Sequence, residues 1–295
     1  MRFKFIHQHR EEFILVIMLR MLEVSKSGYY EWQNRLESKR SKERNILSDK
    51  IKTIFENSRK TYGITRIHAC LREKNESCSR PRVAGIMREL GLKGKRKGII
   101  RKKTTNANHA LEVAQNKLER DFKAEKPNQK WVADLTYIPT LEGWLFLAVV
   151  LDLFSRKIIG WSMSQSLETK VVLDALEMAR SSRNPRAGLL HHSDRGVQYA
   201  AGVHRLALEK FGAISSMSRK GNCWDNAVVE SLFGTLKCEL DLNKPIGTIA
   251  ETRASVFEWI EVWYNRERRH SSLSFLAPTV FEEKYDSRNS KSTNS

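Results

Sequence analysis

Three acids in this 295-residue chain stand where they could do chemistry: Asp134 in Trp131-Val-Ala-Asp134-Leu-Thr-Tyr-Ile138, Asp194 in His191-His-Ser-Asp194-Arg-Gly-Val-Gln-Tyr199, and Glu230 in Asp225-Asn-Ala-Val-Val-Glu230-Ser-Leu-Phe233. Thirty-five residues separate the last two, and Lys237 follows Glu230 by seven positions. Carboxylates gathered at one place repel and raise each other's pKa. The cation that relieves them must suit hard oxygen ligands, which points to Mg²⁺ or Mn²⁺. On a chain of net charge +18, such a site suggests metal-dependent chemistry on the phosphodiesters of nucleic acid.

The charge is unevenly spread. Residues 1–130 hold 32 Lys+Arg against 15 Asp+Glu, while residues 131–295 hold 20 against 19. The surplus therefore ends where the first acidic motif begins, as expected of a polyanion-binding region joined to a near-neutral catalytic one. Cys70, Cys78, Cys223 and Cys238 show no CxxC spacing, which argues against a structural zinc and for thiols in a reducing compartment. The apolar run Phe13–Leu19 is too short to span a bilayer, and the start of the chain is no signal peptide. A cytoplasmic, nucleoid-associated protein is expected, with no membrane partner.

The elements that would position the acids follow from the pattern. Trp131–Thr140, Trp144–Asp152 and Arg156–Ser162 read as three strands in a meander, followed by a helix over Thr169–Arg180 and a buried strand over Gly188–His192. Helices over Ala201–Lys210, Asp225–Glu239 and Ala250–Tyr264 and a short strand over Ala213–Met217 complete an α/β, ribonuclease-H-like order. In that order the first and fourth strands are neighbours, so Asp134 and Asp194 converge and a helix brings Glu230 to them. The three could hold two metal ions with the scissile phosphate between them. Asn226, Glu230, Gly234 and Lys237 share one helical face, which makes Lys237 and Asn226 candidate DNA contacts. Trp224 reads equally as a base-stacking residue and as a core tryptophan. Asp152 reads as a turn cap, Asp225 as a helix N-cap or first-turn acid, Gly196 as a turn residue, and His192 and Ser193 as shaping the loop of Asp194.

Upstream, residues 12–36 suggest a weak helix–turn–helix, and residues 36–60 a charged helix. A stronger helix–turn–helix spans Ile64–Leu71 and Arg80–Leu90, with Gly91 at the C-cap position. Arg66, Arg80, Arg82 and Arg88 are its candidate DNA contacts, and Lys95, Arg96 and Lys97 belong to a basic run that could lie along DNA. The expected boundaries are an N-terminal helical region over 1–60, the helix–turn–helix over 61–95, a basic linker over 96–126, the catalytic core over 127–285 and a disordered tail over 286–295.

These motifs, with Pro127-Asn-Gln-Lys-Trp131, Val150-Leu-Asp152-Leu-Phe-Ser-Arg156, Ser218-Arg-Lys-Gly221-Asn-Cys-Trp224 and Trp263-Tyr-Asn-Arg266, resemble the second-frame (OrfB) transposases of the IS-three family of insertion sequences. That family has a retroviral-integrase-like DDE core. Tyr62-Gly63, Arg66-Ile-His68 and Met87-Arg-Glu-Leu-Gly91 resemble its helix–turn–helix region. The resemblance implies that Asp134, Asp194 and Glu230 are a catalytic triad using Mg²⁺ or Mn²⁺. It further implies nicking at element ends, strand transfer by the freed 3′-hydroxyl, and double-stranded DNA partners in the terminal inverted repeats and the target. A homo-oligomer on DNA and a first-frame (OrfA-type) partner or fusion are also implied. Trp224 departs from the tyrosine common there. Two other readings stand beside it: a nuclease of the ribonuclease-H superfamily that only hydrolyses, and a non-catalytic DNA-binding regulator that needs a first-frame partner.

Overall fold

The computed structural model describes residues 1–35, 38–96 and 111–292. The chain divides into two compact units, residues 1–53 and 54–295. In the first, α1 (Arg2–Gln8), α2 (Leu15–Met21) and α3 (Lys26–Asn34) enclose Ile6, Met18, Leu19 and Tyr29, and Phe3 stacks on Trp32 with ring centroids 5.8 Å apart. Ser25 caps α3 by accepting the Gly28 N–H at 3.0 Å. The helix–turn–helix pattern expected over 12–36 thus appears as α2 and α3. No sequence signal had marked α1, a helix of 7 residues.

α4 (Lys39–Asn57) spans the division between the units. The second unit continues with α5 (Ile64–Glu73) and α6 (Arg80–Glu89), the two helices of the stronger pattern. Ile67, Leu71, Val83, Ile86 and Met87 are buried, Ser79 caps α6, and Gly91 takes the left-handed backbone (φ 67°) that ends it.

β1 (Lys130–Thr140), β2 (Gly143–Asp152) and β3 (Ile158–Ser164) form the antiparallel meander. After α7 (Thr169–Arg183) come β4 (Leu190–Ser193), the short α8 (Val197–Ala200), α9 (Gly202–Glu209) and β5 (Ile214–Met217). The sheet order is β3-β2-β1-β4-β5, with β4 parallel to β1 and β5 parallel to β4. Alternation along β1 decides its two faces. Trp131 and Ala133 join Ala148, Val150, Val171, Ala175 and Met217 in the core under α7, so Asp134 belongs to the other face. α7 crosses β3 at Gly160, where a Cβ would stand 2.2 Å from the Ala175 carbonyl oxygen, a distance that only glycine permits.

A single 3-10 turn (Cys223–Asn226) leads into α10 (Ala227–Glu239), which packs on β1. α11 (Ile249–Glu258) continues as a π-helical stretch over Trp259–Glu267, and α12 (Pro278–Ser292) follows. The expected disordered tail is corrected here: residues 286–292 extend α12, which is anchored upstream where Glu282 accepts from Ser155, Lys157 and Arg183. Long-range ion pairing of that kind leaves no trace in local composition.

Candidate active site

The parallel pairing of β1 and β4 sets Ala133 opposite Ser193. Asp134 follows on β1 and Asp194 is the first residue past β4, so two carboxylates stand at one level of neighbouring strands. Each is oriented by its own backbone: Asp134 Oδ1 accepts the Leu135 N–H at 2.8 Å, and Asp194 Oδ1 accepts the Gly196 N–H at 2.9 Å. Glu230 lies in the first turn of α10 with its residue exposed. The charges sense one another. Loss of water raises Asp134 well above the ordinary carboxylate range, Asp194 and Glu230 add to this, and the Lys237 cation opposes it. Glu230 is raised as well, by desolvation and then by Asp194. Among the described residues, no three His, Cys, Asp or Glu side chains stand close enough to form a ready-made metal cage.

β4 is held to β5 by His192. His192 bonds Ser216 Oγ through Nδ1 at 2.8 Å and Ser218 Oγ through Nε2 at 3.2 Å, and burial lowers its pKa to about 4, so it is neutral. The Ser218 N–H donates to the Ser193 carbonyl, so β5 braces the end of β4 at the point where Asp194 emerges. Gly196 plays a different part from the turn role expected of it. Its φ is −61°, open to any residue, but a Cβ there would lie 3.0 Å from Asp194 Oδ1. Gly196→Ala is expected to slow strand transfer roughly tenfold by displacing that carboxylate a few tenths of an ångström. A gel-based joining assay at saturating DNA measures this, and an unchanged rate would show that Asp194 tolerates the crowding.

The other sequence candidates divide. Trp224 is 68% exposed, which leaves it available for stacking and rules out the core reading. Lys237 is half-buried on α10 and acts on Asp134 by charge. Asn226 is buried; its Nδ2 donates to the Ala133 carbonyl at 3.2 Å. It is therefore a strut between β1 and the start of α10, and the expectation of a DNA contact is corrected. Arg80, Arg88 and Arg96 are exposed and Arg82 is half-buried. Lys97 lies outside the described residues. Arg66 donates Nε to the Arg269 carbonyl and sits over the Tyr62 ring, while Lys95 pairs with Asp241 at 2.5 Å. Both are bonded to residues of the catalytic core.

Sequence reasoning missed two features. Asp225 is an acid in the first turn of the 3-10 stretch, as one of its two expected roles had it, but it acts as a buried clamp: its carboxylate accepts from Arg219 Nε (2.9 Å) and Nη2 (2.8 Å), from the Arg219 N–H (3.0 Å), from Arg120 Nε (2.9 Å) and from Asn116 Nδ2 (2.9 Å). Those bonds, Arg219 foremost, hold it well below the ordinary carboxylate range. Tyr199 is buried with its ring 5.3 Å from that of His204, and its pKa is driven up by burial and then by the charges of Asp134 and Asp194. The motif displayed Tyr199, but nothing local marked it as a neighbour of the acids. Asp152 caps its turn as expected, accepting the Phe154 N–H at 3.0 Å, and burial raises its pKa to about 6.

A mixed sheet of order β3-β2-β1-β4-β5, with α7 packed on one side and α10 on β1, is the architecture of an integrase catalytic core. Residues 124–223 and 212–278 match integrase core domain families, and residues 42–99 match an HTH-like domain. The chain is 43% identical over 268 residues to an insertion element IS600 31 kDa protein of Shigella sonnei (91% of this chain, 98% of the relative). It is 40% identical over 286 residues to the transposase InsF for insertion sequence IS3A of Escherichia coli K12 (96% and 99%). Among solved structures, the HTLV-2 integrase catalytic core domain in complex with magnesium is similar at 17% identity and TM-score 0.43, over 54% of this chain and 99% of that one. The chain belongs to the IS3 family of insertion-sequence transposases.

Proposed function

We propose that Asp134, Asp194 and Glu230 are the catalytic carboxylates with which this transposase nicks DNA at the ends of its element and joins the freed 3′-hydroxyl to target DNA. The observation that carries the reading is the level placement of Asp134 on β1 and of Asp194 just past the end of β4, with the charge of Glu230 acting on Asp134. The donor set suits Mg²⁺ or Mn²⁺: three acceptor-only oxygen ligands whose mutual repulsion a divalent cation relieves. Asp134, Asp194 and Glu230 would hold the ions, two by our reading. When bound, such ions activate the attacking oxygen and stabilise the leaving one.

The chain's own groups do the rest. The Leu135 and Gly196 N–H groups fix the rotamers of the two aspartates. Asn226 and Asp225 fix the angle at which α10 presents Glu230. Lys237 supplies a cation for a substrate phosphate, and exposed Trp224 a surface on which a base can stack. Arg80, Arg82, Arg88 and Arg96 supply a basic surface for the duplex. The proposed partners are the element's terminal inverted repeats, target DNA, further copies of this chain on DNA and a first-frame protein.

The test is a joining assay with a pre-cleaved 3′-end. Strand transfer is expected with Mg²⁺ or Mn²⁺ and should vanish when EDTA is added in excess. Metal-dependent hydrolysis with no joined product would make the chain a nuclease and sink the transferase reading.

A further inference from the structure

A cleft of about 480 Å³ lies within the second unit, between α5 and the catalytic core. Four cationic side chains line it: Arg66 from α5, Lys95 from beyond α6, Arg156 from the turn after β2 and Arg268 from beyond the π-helical stretch, with Glu239 the acid in the lining; Lys95 is already paired with Asp241 outside it. Glu239 is already committed. It accepts from Arg268 at 2.8 Å and from the Trp259 and Trp263 indole N–H groups at 3.1 and 3.0 Å. Arg66 and Arg156 spend their hydrogen bonds on the carbonyls of Arg269 and Phe122, which accept a proton but neutralise no charge. Among the described residues, no carboxylate forms an ion pair with either. Burial and the Arg268 cation both hold Arg66 below its ordinary basicity. Converging, under-neutralised guanidinium groups are costly unless an anion joins them, and Ser271 and Ser272 add exposed hydroxyls at the rim.

The wall of the cleft is α10 itself. Ala227, Ser231 and Thr235 line it at spacings of four, so they share a face of the helix adjoining the one that carries Glu230 and Lys237. We propose that this cleft is a second phosphate site, which seats a backbone phosphodiester of the DNA strand engaged at the carboxylates. The proposal rests on the transposase reading above. Arginine suits the task because its planar fork matches a phosphate and its charge persists in a partly dry site. A strand seated there grips the helix that bears Glu230, so substrate binding and the placement of that acid act on one element.

The experiment uses the full chain and a fluorescent end-sequence duplex without metal, titrated at several salt concentrations. Ser272→Glu puts a carboxylate at the exposed rim and should weaken binding about tenfold and lower the slope of log Kd against log salt by about one. Ser272→Arg should tighten binding. The same charge change at Ser287, on α12, should leave binding within about twofold. Circular dichroism confirms that each variant folds. Unchanged affinity and slope in Ser272→Glu, with the wild type bound, overturn the cleft proposal alone. A wild-type chain that binds no DNA overturns it together with the functional reading. A rise in melting temperature with ATP or inorganic phosphate, with DNA binding indifferent to Ser272→Glu, assigns the cleft to a free anion and also overturns it.

Discussion

Asp134→Asn is expected to lower nicking and joining by at least about a thousandfold, the several kcal/mol that a lost metal-binding carboxylate represents. DNA affinity should stay within about twofold, because the backbone grip lies elsewhere. The same substitution should stabilise the chelator-treated protein at neutral pH. The sign follows from the raised pKa of Asp134, caused first by desolvation and then by Asp194. Below the ordinary aspartate value, 3.8, the carboxyl is protonated in folded and unfolded chains alike, and it carries no penalty. As pH climbs past that value the unfolded chain ionises first, and the folded chain loses stability until its own carboxyl ionises. Asparagine removes the penalty, so the variant should melt higher than wild type at pH 7 and the difference should vanish in acid. A variant that melts no higher at pH 7 would show that burial and neighbouring charge do not burden Asp134. Retained strand transfer would end the catalytic assignment.

Asp225→Asn should cost about 2–3 kcal/mol, because one neutral amide cannot satisfy two guanidinium groups and a second amide at once. The cost falls below the roughly 3–5 kcal/mol of a fully buried ion pair, since the side chains of Arg120 and Arg219 are 45% and 57% exposed and hydrated. The melting temperature should fall by roughly 5–10 °C. Here the sign with pH is opposite to that of Asp134. The folded-state pKa is depressed, chiefly by Arg219, so the stabilisation is complete above the ordinary value of 3.8 and drains away as pH falls below it. Wild type and variant should therefore converge on acidification. Scanning calorimetry at neutral and acid pH measures both; equal melting at neutral pH would mean that the clamp stabilises nothing. Strand transfer should fall as well, because the clamp sits at the entry to α10.

What the sequence disclosed and what it withheld follow a physical line. Strands alternate with a period of two, and helices with a period near 3.6, so the meander, the crossover helix and the neighbourhood of Asp134 and Asp194 were all readable. Gly91, placed just past a basic amphipathic helix, correctly marked the end of α6. The clamp was not readable, because Asp225 and Arg120 stand 105 positions apart and no local period joins them. Asn226 misled for the same reason: its helical spacing to Glu230 suggested a shared exposed face, yet its amide is used on the β1 backbone. Arg66 looked like a groove-facing residue on its own helix. Its orientation was set by Arg269 and Tyr62, contacts that only tertiary packing creates. Helix α12 was missed where a polar composition hid a helix whose anchor is the Glu282 network.

The anchors at the two ends of α10 have a bearing on how such elements diversify. Lys95 holds one end, through the Glu239 carbonyl and Asp241. Asn116 and Arg120 hold the other, through Asp225. The helix between them has 13 residues and is about 20 Å long at its normal rise. Lys95, Asn116 and Arg120 all precede β1 in the chain. The helix that bears Glu230 is thus tied at both ends to residues upstream of the sheet that carries the aspartates. Variation among related elements in those upstream residues can therefore shift the glutamate against the aspartates while every carboxylate stays unchanged.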